Sequence, residues 1–197
     1  MSEQHPQDNL GSTEQEIYRG KLITVRVRTV RKPDGGESRY EIVEHPGAVA
    51  IVAVRYESRE SGEPVVALVH QQRPAIGKET LVLPAGLVDA HERDHPEQTA
   101  ARELREETGY TAVTLRLLTR EYSSPGFTNE AISIYLATDV VQAESGSAPD
   151  PSEIRKVQWM RLSEAMRLAR EGSIDDGKTL IGLWLARDVL TADAFQD

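Results

Sequence analysis

The sequence predicts an α/β protein, an α/β/α sandwich in which helices cover a sheet, with a small antiparallel β unit at its N-terminal side. Two near-continuous apolar segments, residues 48–54 and 65–69, are typical of strands that are covered on both faces. Helical patterns occur between the later strands and near the C-terminus. Residues 22–30 instead alternate apolar and polar side chains, which indicates a strand with one face in solvent.

The chain divides into three predicted parts. Residues 1–13 are polar and lack the apolar core of a secretory signal peptide, so we expect a disordered tail. Residues 14–46 form a hairpin unit, in which the turn cluster at 32–36 connects the alternating strand to a second strand at 39–44. Residues 47–197 form a single domain without an internal repeat.

A helix is predicted over residues 96–108 of that domain. Pro96 is preorganised for a first helical turn, and Gly109 can end the helix in a left-handed conformation. The remaining predicted elements are strands near residues 112–118, 131–136 and 156–160, and helices at 163–170 and 180–190.

Composition excludes several classes of function. The chain has 197 residues, a net charge of −9 and a pI near 5.1. Nucleic acids and anionic membranes bind basic patches, so this acidic balance argues against both as partners. If the ligand is an anion, a divalent cation is the obvious bridge between like charges. The absence of cysteine excludes a disulfide framework and thiol catalysis, and it is compatible with the cytoplasm, where we expect the protein.

Two segments match the consensus patterns of known sites but lack the surrounding secondary structure that those sites require. His91-Glu-Arg-Asp-His95 matches the zinc-protease pattern, but Pro96 disfavours helical geometry at His95, so we interpret it as a solvated loop. Residues 172–179 match the phosphate-loop pattern G-x-x-x-x-G-K-T. A helix rather than a strand precedes them, and two aspartates lie where phosphate would approach, so we interpret them as a helix-to-helix turn.

The segment 102–110, Arg-Glu-Leu-Arg-Glu-Glu-Thr-Gly-Tyr, concentrates acid on the predicted helix. At about 100° per residue, Glu103, Glu106 and Glu107 fall on one face. Glu103 and Glu107 repel each other in an isolated helix, but the pair becomes favourable when a hard cation binds between them. Arg102 can reach Glu106 one turn further on and hold it in place. A solvated acidic face with local arginine pairs explains the helix alone equally well.

Residues 83–86, Leu-Pro-Ala-Gly, together with this helix resemble the Nudix box. That box reads G, five residues, E, seven residues, R-E-U-x-E-E-x-G-U, where U is a bulky apolar residue. The second half matches at every position. In the first half, Glu92 has the expected spacing from Gly86, but nine residues rather than seven separate it from Arg102, which leaves the role of Glu92 open.

Further features are similar to the ADP-ribose pyrophosphatase branch of the Nudix family. Residues 84–89 read Pro-Ala-Gly-Leu-Val-Asp, close to that branch's P-A-G-L-I-D, and Pro125 lies beyond the box where the branch often has a proline. Val82 departs from relatives that have glutamate before the L-P-A-G. The hairpin unit also resembles a segment that pairs across a dimer in relatives, which implies a homodimer.

The resemblance implies a metal-dependent hydrolase. Its substrate would be ADP-ribose or a related nucleoside diphosphate sugar, and ADP-ribose would be cleaved at the pyrophosphate to AMP and ribose 5-phosphate. The metal, Mg²⁺ or Mn²⁺, would be held by the Ala85 carbonyl, Glu103 and Glu107, with Glu106 assisting. Oxygen ligands of this kind suit hard cations rather than zinc.

The resemblance also implies roles outside the metal face. Glu153 matches the position of the general base in relatives, and Glu130 is the second candidate; for either one, an ordinary surface glutamate is the alternative. Arg102 is assigned to the catalytic group through its support of Glu106.

Four further residues are candidates for substrate binding. Arg73 resembles an arginine that binds the substrate's phosphates, and its alternative is a strand-end salt bridge. Tyr18 and Tyr40 can stack on adenine, although strand aromatics more often serve packing. Pro125 belongs to the loop after the box.

Two other functions stay open at this point. One is pyrophosphatase activity on GDP-mannose or another nucleoside diphosphate sugar, because base selectivity lies in loops. The other is a non-catalytic ADP-ribose sensor built on the same fold. A sensor is expected to have lost metal carboxylates or gained a DNA-binding module, whereas the three helix glutamates are present and the chain is acidic.

Overall fold

The computed structural model describes residues 12–56, 62–89, 92, 95–143 and 156–193. They form two compact units: a β unit, which runs to Gly47 and includes Tyr122–Glu130, and a sandwich unit, made of Ala48–Glu121 and the chain from Ala131 onward. The elements in chain order are β1 (Ser12–Arg19), β2 (Thr24–Arg31), β3 (Glu37–Glu44), β4 (Ala48–Tyr56), β5 (Pro64–Arg73), β6 (Lys78–Val82), β7 (Ala85–Leu87), α1 (Pro96–Thr108), β8 (Tyr110–Tyr122), β9 (Ala131–Gln142), β10 (Lys156–Arg161), α2 (Leu162–Arg170) and α3 (Gly177–Asp193).

The β unit contains a three-stranded antiparallel sheet in the order β1-β2-β3. Strands β2 and β3 correspond to the predicted hairpin. The sequence does not predict β1, because its residues are all exposed and show no apolar alternation. This strand begins at Ser12, within the segment 1–13 that was expected to be a disordered tail, while residues 1–11 lie outside the described residues.

The described residues of the sandwich unit form a mixed sheet of seven strands in the order β10-β5-β4-β9-β8, with β6 beside β5 and β7 beside β4. Successive side chains of a strand point to opposite faces, and the central strand β4 uses both. Val49, Ile51 and Ala53 pack with residues of α1 on one face. The alternate residues, such as Val52, pack with residues of α2 and α3 on the other. This arrangement confirms the predicted α/β/α sandwich.

Several elements differ from the predicted ones in length or number. Strands β6 and β7 have five and three residues, too few for periodicity to reveal them. Strands β8 and β9 extend past the predicted bounds 112–118 and 131–136, into segments that are partly exposed and polar. No helix among the described residues combines the length and the apolar character needed to cross a membrane.

Both segments that match the patterns of known sites agree with the structure predicted from their context at the residues that the structure describes. Glu92 lies in a loop and His95 immediately precedes α1, so neither of these two residues is helical, and residues 91, 93 and 94 lie outside the described residues. Residues 172–179 form the turn between α2 and α3 and the first residues of α3.

The N-terminus of α3 is capped by the Asp176 carboxylate. Oδ2 of Asp176 accepts hydrogen bonds from the Thr179 backbone N–H at 3.1 Å and from the Thr179 hydroxyl at 2.6 Å. Oδ1 pairs with the Lys178 ammonium at 2.7 Å. Burial raises the pKa of the Asp176 carboxyl. The Lys178 charge and the hydrogen bonds from Lys178 and Thr179 lower it by a larger amount, so the pKa lies below its ordinary value.

We predict that Asp176→Ala lowers the free energy of unfolding by about 0.5–2 kcal/mol at pH 7, because the helix loses its cap. The folded-state pKa is depressed, so the charged carboxylate contributes fully above its ordinary pKa of 3.8, and the contribution is lost as pH falls through the folded-state value. The difference between variant and wild type should therefore narrow below about pH 4. Urea unfolding curves across a pH series measure it.

Asp175→Ala is the matched control, because Asp175 is the preceding residue and its more exposed side chain forms an ion pair with Lys78. Loss of such an exposed pair costs at most about 1 kcal/mol. A difference for Asp176→Ala that is independent of pH, or absent at pH 7, would contradict the assigned cap.

Candidate active site

The two ends of helix α1 and its buried face fix the orientation of the helix about its own axis. Pro96 occupies the first turn, and Gly109 ends the helix with φ of 74°, a left-handed conformation that favours glycine. The buried residues of the helix are Thr99, Ala100, Leu104 and Thr108. This inward face directs Glu103 and Glu107 toward the LPAG segment, residues 83–86, which leads into β7.

Two carboxylates of α1 contact adjacent residues of the LPAG segment. The Ala85 backbone N–H donates a hydrogen bond to Oε2 of Glu107 at 2.8 Å. The Glu103 carboxyl group occupies the space beside Gly86, where a Cβ atom would lie 2.0 Å from its carbon and 2.1 and 2.4 Å from its oxygens. Only a residue without a side chain therefore fits at position 86 while Glu103 keeps this position.

Arg102 neutralises part of the acidic cluster. Its Nη1 donates to Glu103 Oε1 at 2.8 Å and to Glu106 Oε2 at 2.9 Å. Its Nη2 donates to Asp89 Oδ2 at 3.2 Å and to Glu92 Oε2 at 3.4 Å. Burial lowers the pKa of Arg102, but the charges of and hydrogen bonds to Glu103 and Glu106 outweigh burial and raise it. The guanidinium is therefore a permanent cation that orients the predicted acidic face.

Sequence reasoning left the role of Glu92 open, and in the structure this residue contacts Thr99 and Arg102. The Thr99 hydroxyl donates to Glu92 Oε2 at 2.7 Å, and Arg102 contacts the same oxygen. The Glu92 side chain is only 12% exposed. Glu92 therefore contacts the same guanidinium as Glu103, that of Arg102, despite the two additional residues in the loop before α1. Only the match of Glu92 to the first half of the Nudix box pointed to it.

The donor set suits a hard cation in chemistry. The carboxylate of Glu107 contacts Ala85 and that of Glu103 lies beside Gly86, the next residue of the same backbone segment. The side chain of Glu103 is only 14% exposed. Across the part of the chain that the structure describes, no group of three or more His, Cys, Asp or Glu side chains has the arrangement of a metal site. The predicted ligand set includes the Ala85 carbonyl and stays a prediction, as does the assisting role of Glu106, which contacts Arg102.

The other predicted residues lie either outside this cluster or outside the residues that the structure describes. Arg73 ends β5 in the sandwich unit, where its carbonyl accepts hydrogen bonds from Ile76 and Gly77 in a tight turn. Glu153 lies outside the described residues. The roles predicted for these two residues remain predictions.

Four predicted residues belong to the β unit. Tyr18 and Tyr40 are 57% and 52% exposed. Pro125 lies in a turn, and Glu130 accepts a hydrogen bond from the Ser123 hydroxyl at 2.5 Å. Their roles in substrate binding and catalysis remain predictions.

A glycine-containing segment that receives two carboxylates from an Arg-Glu-Leu-Arg-Glu-Glu helix, within an α/β/α sandwich, defines a Nudix-type protein. A family model described as the NUDIX domain matches residues 44–181. The chain belongs to the Nudix hydrolase family, which confirms the predicted family and the enzyme class.

Similar proteins agree with this assignment. The chain is 38% identical to an ADP-ribose pyrophosphatase of Bacillus subtilis, over 84% of this chain and 85% of that protein. It is 35% identical to an ADP-ribose pyrophosphatase of Mycobacterium tuberculosis, over 90% of this chain and 83% of that protein. A crystal structure of an ADP compounds hydrolase has the same fold, with a TM-score of 0.76 at 22% identity, and the match covers 92% of this chain and 93% of that one.

We predict that Gly86→Ala lowers turnover by about a hundredfold, because the added methyl group displaces Glu103 by an ångström or more. The measurement is hydrolysis of nucleoside diphosphate sugars in the presence of magnesium, with urea unfolding to verify that the variant is folded.

Gly177→Ala serves as the comparison, since a Cβ atom there meets no atom within 4 Å. It should keep wild-type turnover. If Gly86→Ala hydrolyses substrate at the wild-type rate, the close contact between Glu103 and residue 86 has no part in catalysis.

Proposed function

We propose that this protein hydrolyses the pyrophosphate bond of ADP-ribose, giving AMP and ribose 5-phosphate, with a divalent cation as cofactor. The observation that carries the proposal is the placement of the Glu103 and Glu107 carboxylates at adjacent residues of the LPAG segment. The substrate is supported by two relatives named ADP-ribose pyrophosphatase, each matched over most of its length.

The cofactor that we propose is Mg²⁺ or Mn²⁺, held by the Ala85 carbonyl, Glu103 and Glu107, with Glu106 assisting. Bound there, such a cation supplies charge neutralisation at the diphosphate and activation of water. The chain's own contribution is to hold the acidic face together before the ion arrives. Arg102 does this for Glu103 and Glu106, and the Ala85 N–H does it for Glu107.

Residues outside the cluster complete the proposed reaction. A glutamate on a loop, Glu153 or else Glu130, takes the proton from the attacking water. Arg73 binds the phosphates with its guanidinium, and Tyr18, Tyr40 and Pro125 contact the remainder of the nucleotide. We further propose that the protein is a homodimer paired through the β unit, and that it works in the cytoplasm, which suits a chain without cysteine.

A substrate panel tests the specific activity. The protein is incubated with magnesium and separately with ADP-ribose, GDP-mannose, NADH, diadenosine polyphosphates and 8-oxo-dGTP, and the products are identified by chromatography and mass spectrometry. We expect AMP and ribose 5-phosphate from ADP-ribose at the highest kcat/KM. Preferred cleavage of GDP-mannose would move the assignment to another nucleoside diphosphate sugar, and hydrolysis of none of them would overturn it.

Glu107→Gln tests the metal face. Glutamine keeps an oxygen that can accept the Ala85 N–H, so the LPAG segment keeps its contact, but the charge that attracts a cation is lost. We expect kcat to fall by about two orders of magnitude or more while the protein stays folded. Steady-state kinetics and thermal unfolding measure the two effects.

Glu97→Gln is the matched control on the same helix, because Glu97 lies in the first turn and its half-exposed side chain contacts His95. It should leave kcat unchanged. Full activity in Glu107→Gln would refute the proposed metal ligands.

A further inference from the structure

The LPAG segment is also held from helix α3, on the opposite side of the sheet from α1. The Leu83 backbone N–H donates a hydrogen bond to the Thr179 hydroxyl oxygen at 3.0 Å. The same hydroxyl donates its own hydrogen to Asp176 Oδ2 at 2.6 Å. Leu83 and Thr179 are both fully buried. One threonine side chain therefore joins the helix cap at Asp176 to the first residue of the segment that receives Glu103 and Glu107.

A second contact joins α3 to the same residue. Gly182 lies one helical turn after Thr179, and a Cβ atom there would lie 2.7 Å from Leu83 Cδ1 and 3.0 Å from Val52 Cγ2. Helix α3 is therefore so close to Leu83 that a side chain at position 182 would require the Leu83 side chain to shift. Because Leu83 is packed at its side chain and hydrogen-bonded at its N–H, both groups depend on the position of α3.

Ala85 and Gly86 of the LPAG segment are paired with β4, whereas Leu83 and Pro84 precede that pairing. Pro84 has no N–H, and its carbonyl accepts the Ile51 N–H at 2.9 Å. The Ala85 N–H is donated to Glu107. The Leu83 N–H is buried, and such a group requires an acceptor. The Thr179 hydroxyl is that acceptor. Leu83 lies two residues before Ala85, whose carbonyl is proposed to hold the metal.

We propose that Thr179, oriented by Asp176, is a positioning residue that holds the LPAG segment against Glu103 and Glu107. The inference rests on the proposed function of that segment as part of a cation site. In this role Asp176 fixes the direction of the threonine hydroxyl, so that its oxygen faces Leu83. Residues 172–179, which have the spelling of a phosphate loop, thus support a neighbouring site and do not bind phosphate themselves.

The experiment compares Thr179→Val with Thr179→Ser. Valine has the shape of threonine without the hydroxyl, so the Leu83 N–H loses its acceptor, whereas serine keeps it. For Thr179→Val we expect the dissociation constant for Mn²⁺, measured by electron paramagnetic resonance, to rise about tenfold to a hundredfold, with a similar fall in kcat. Hydrogen exchange of the Leu83 and Ala85 amides, measured by NMR, should accelerate. Thr179→Ser should restore all three quantities.

Thr80→Val is the control for loss of a buried threonine hydroxyl elsewhere. Thr80 is also buried, and its hydroxyl donates to the Gln71 carbonyl at 3.3 Å. This variant should lose stability without a change in Mn²⁺ affinity or in exchange at Leu83. If Thr179→Val behaves like Thr80→Val, with unchanged Mn²⁺ affinity and unchanged exchange, Thr179 is a packing residue only and the proposal is overturned.

Two further arms keep the test decisive. Should Thr179→Val fail to fold, Asp176→Ala replaces it, because this variant leaves the threonine hydroxyl without its acceptor. Asp176→Ala should weaken Mn²⁺ binding and speed amide exchange at Leu83, and wild-type values for both would overturn the proposal.

Kinetics use whichever substrate the wild type cleaves. If it cleaves none, the proposed function fails on its own, and amide exchange at Leu83 and Ala85 still decides whether Thr179 holds the segment.

Discussion

The site depends on a close approach between a backbone segment and a helix. At Gly86 the space that a side chain would fill is taken by the Glu103 carboxylate, and one residue earlier the Ala85 N–H meets Glu107. Like charges at i and i+4 destabilise a helix by a few tenths of a kcal/mol, roughly, and this pair is compensated by the backbone donor and by Arg102. The burial of α1 and the pairing of β7 with β4 both serve to maintain this approach.

The charge of the cluster indicates the kind of ligand it takes. Arg102 donates to four carboxylates, those of Asp89, Glu92, Glu103 and Glu106, and Glu107 lies beside them on the same helix. A concentration of carboxylates of this kind repels an anion, and a bound divalent cation would offset that repulsion. The acidic balance of the whole chain, −9, acts in the same direction. Under the proposed function, the substrate and its cation would therefore bind together.

Local periodicity made the central part of this structure predictable. Pro96, Gly109 and the inward stripe defined α1 to the residue, and the helix face followed from its geometry. The features that sequence reasoning missed leave no apolar pattern in the local sequence. Strand β1 is entirely exposed, and β7 has three residues and forms because β4 is beside it. Residues of α3 that contact Leu83 are nearly a hundred positions away, so no local pattern records them.

The segment 172–179 illustrates why a match to a consensus pattern does not determine a site. A phosphate loop works because its backbone N–H groups and its lysine are open to an anion. Here the Asp176 carboxylate already accepts the Thr179 N–H and pairs with Lys178, so the protein supplies its own anion at the start of α3. With these donors occupied, the Thr179 hydroxyl oxygen accepts the Leu83 N–H and links the helix terminus to the LPAG segment. The same residue types thus stabilise a site across the sheet, because hydrogen-bond partners decide what a motif does.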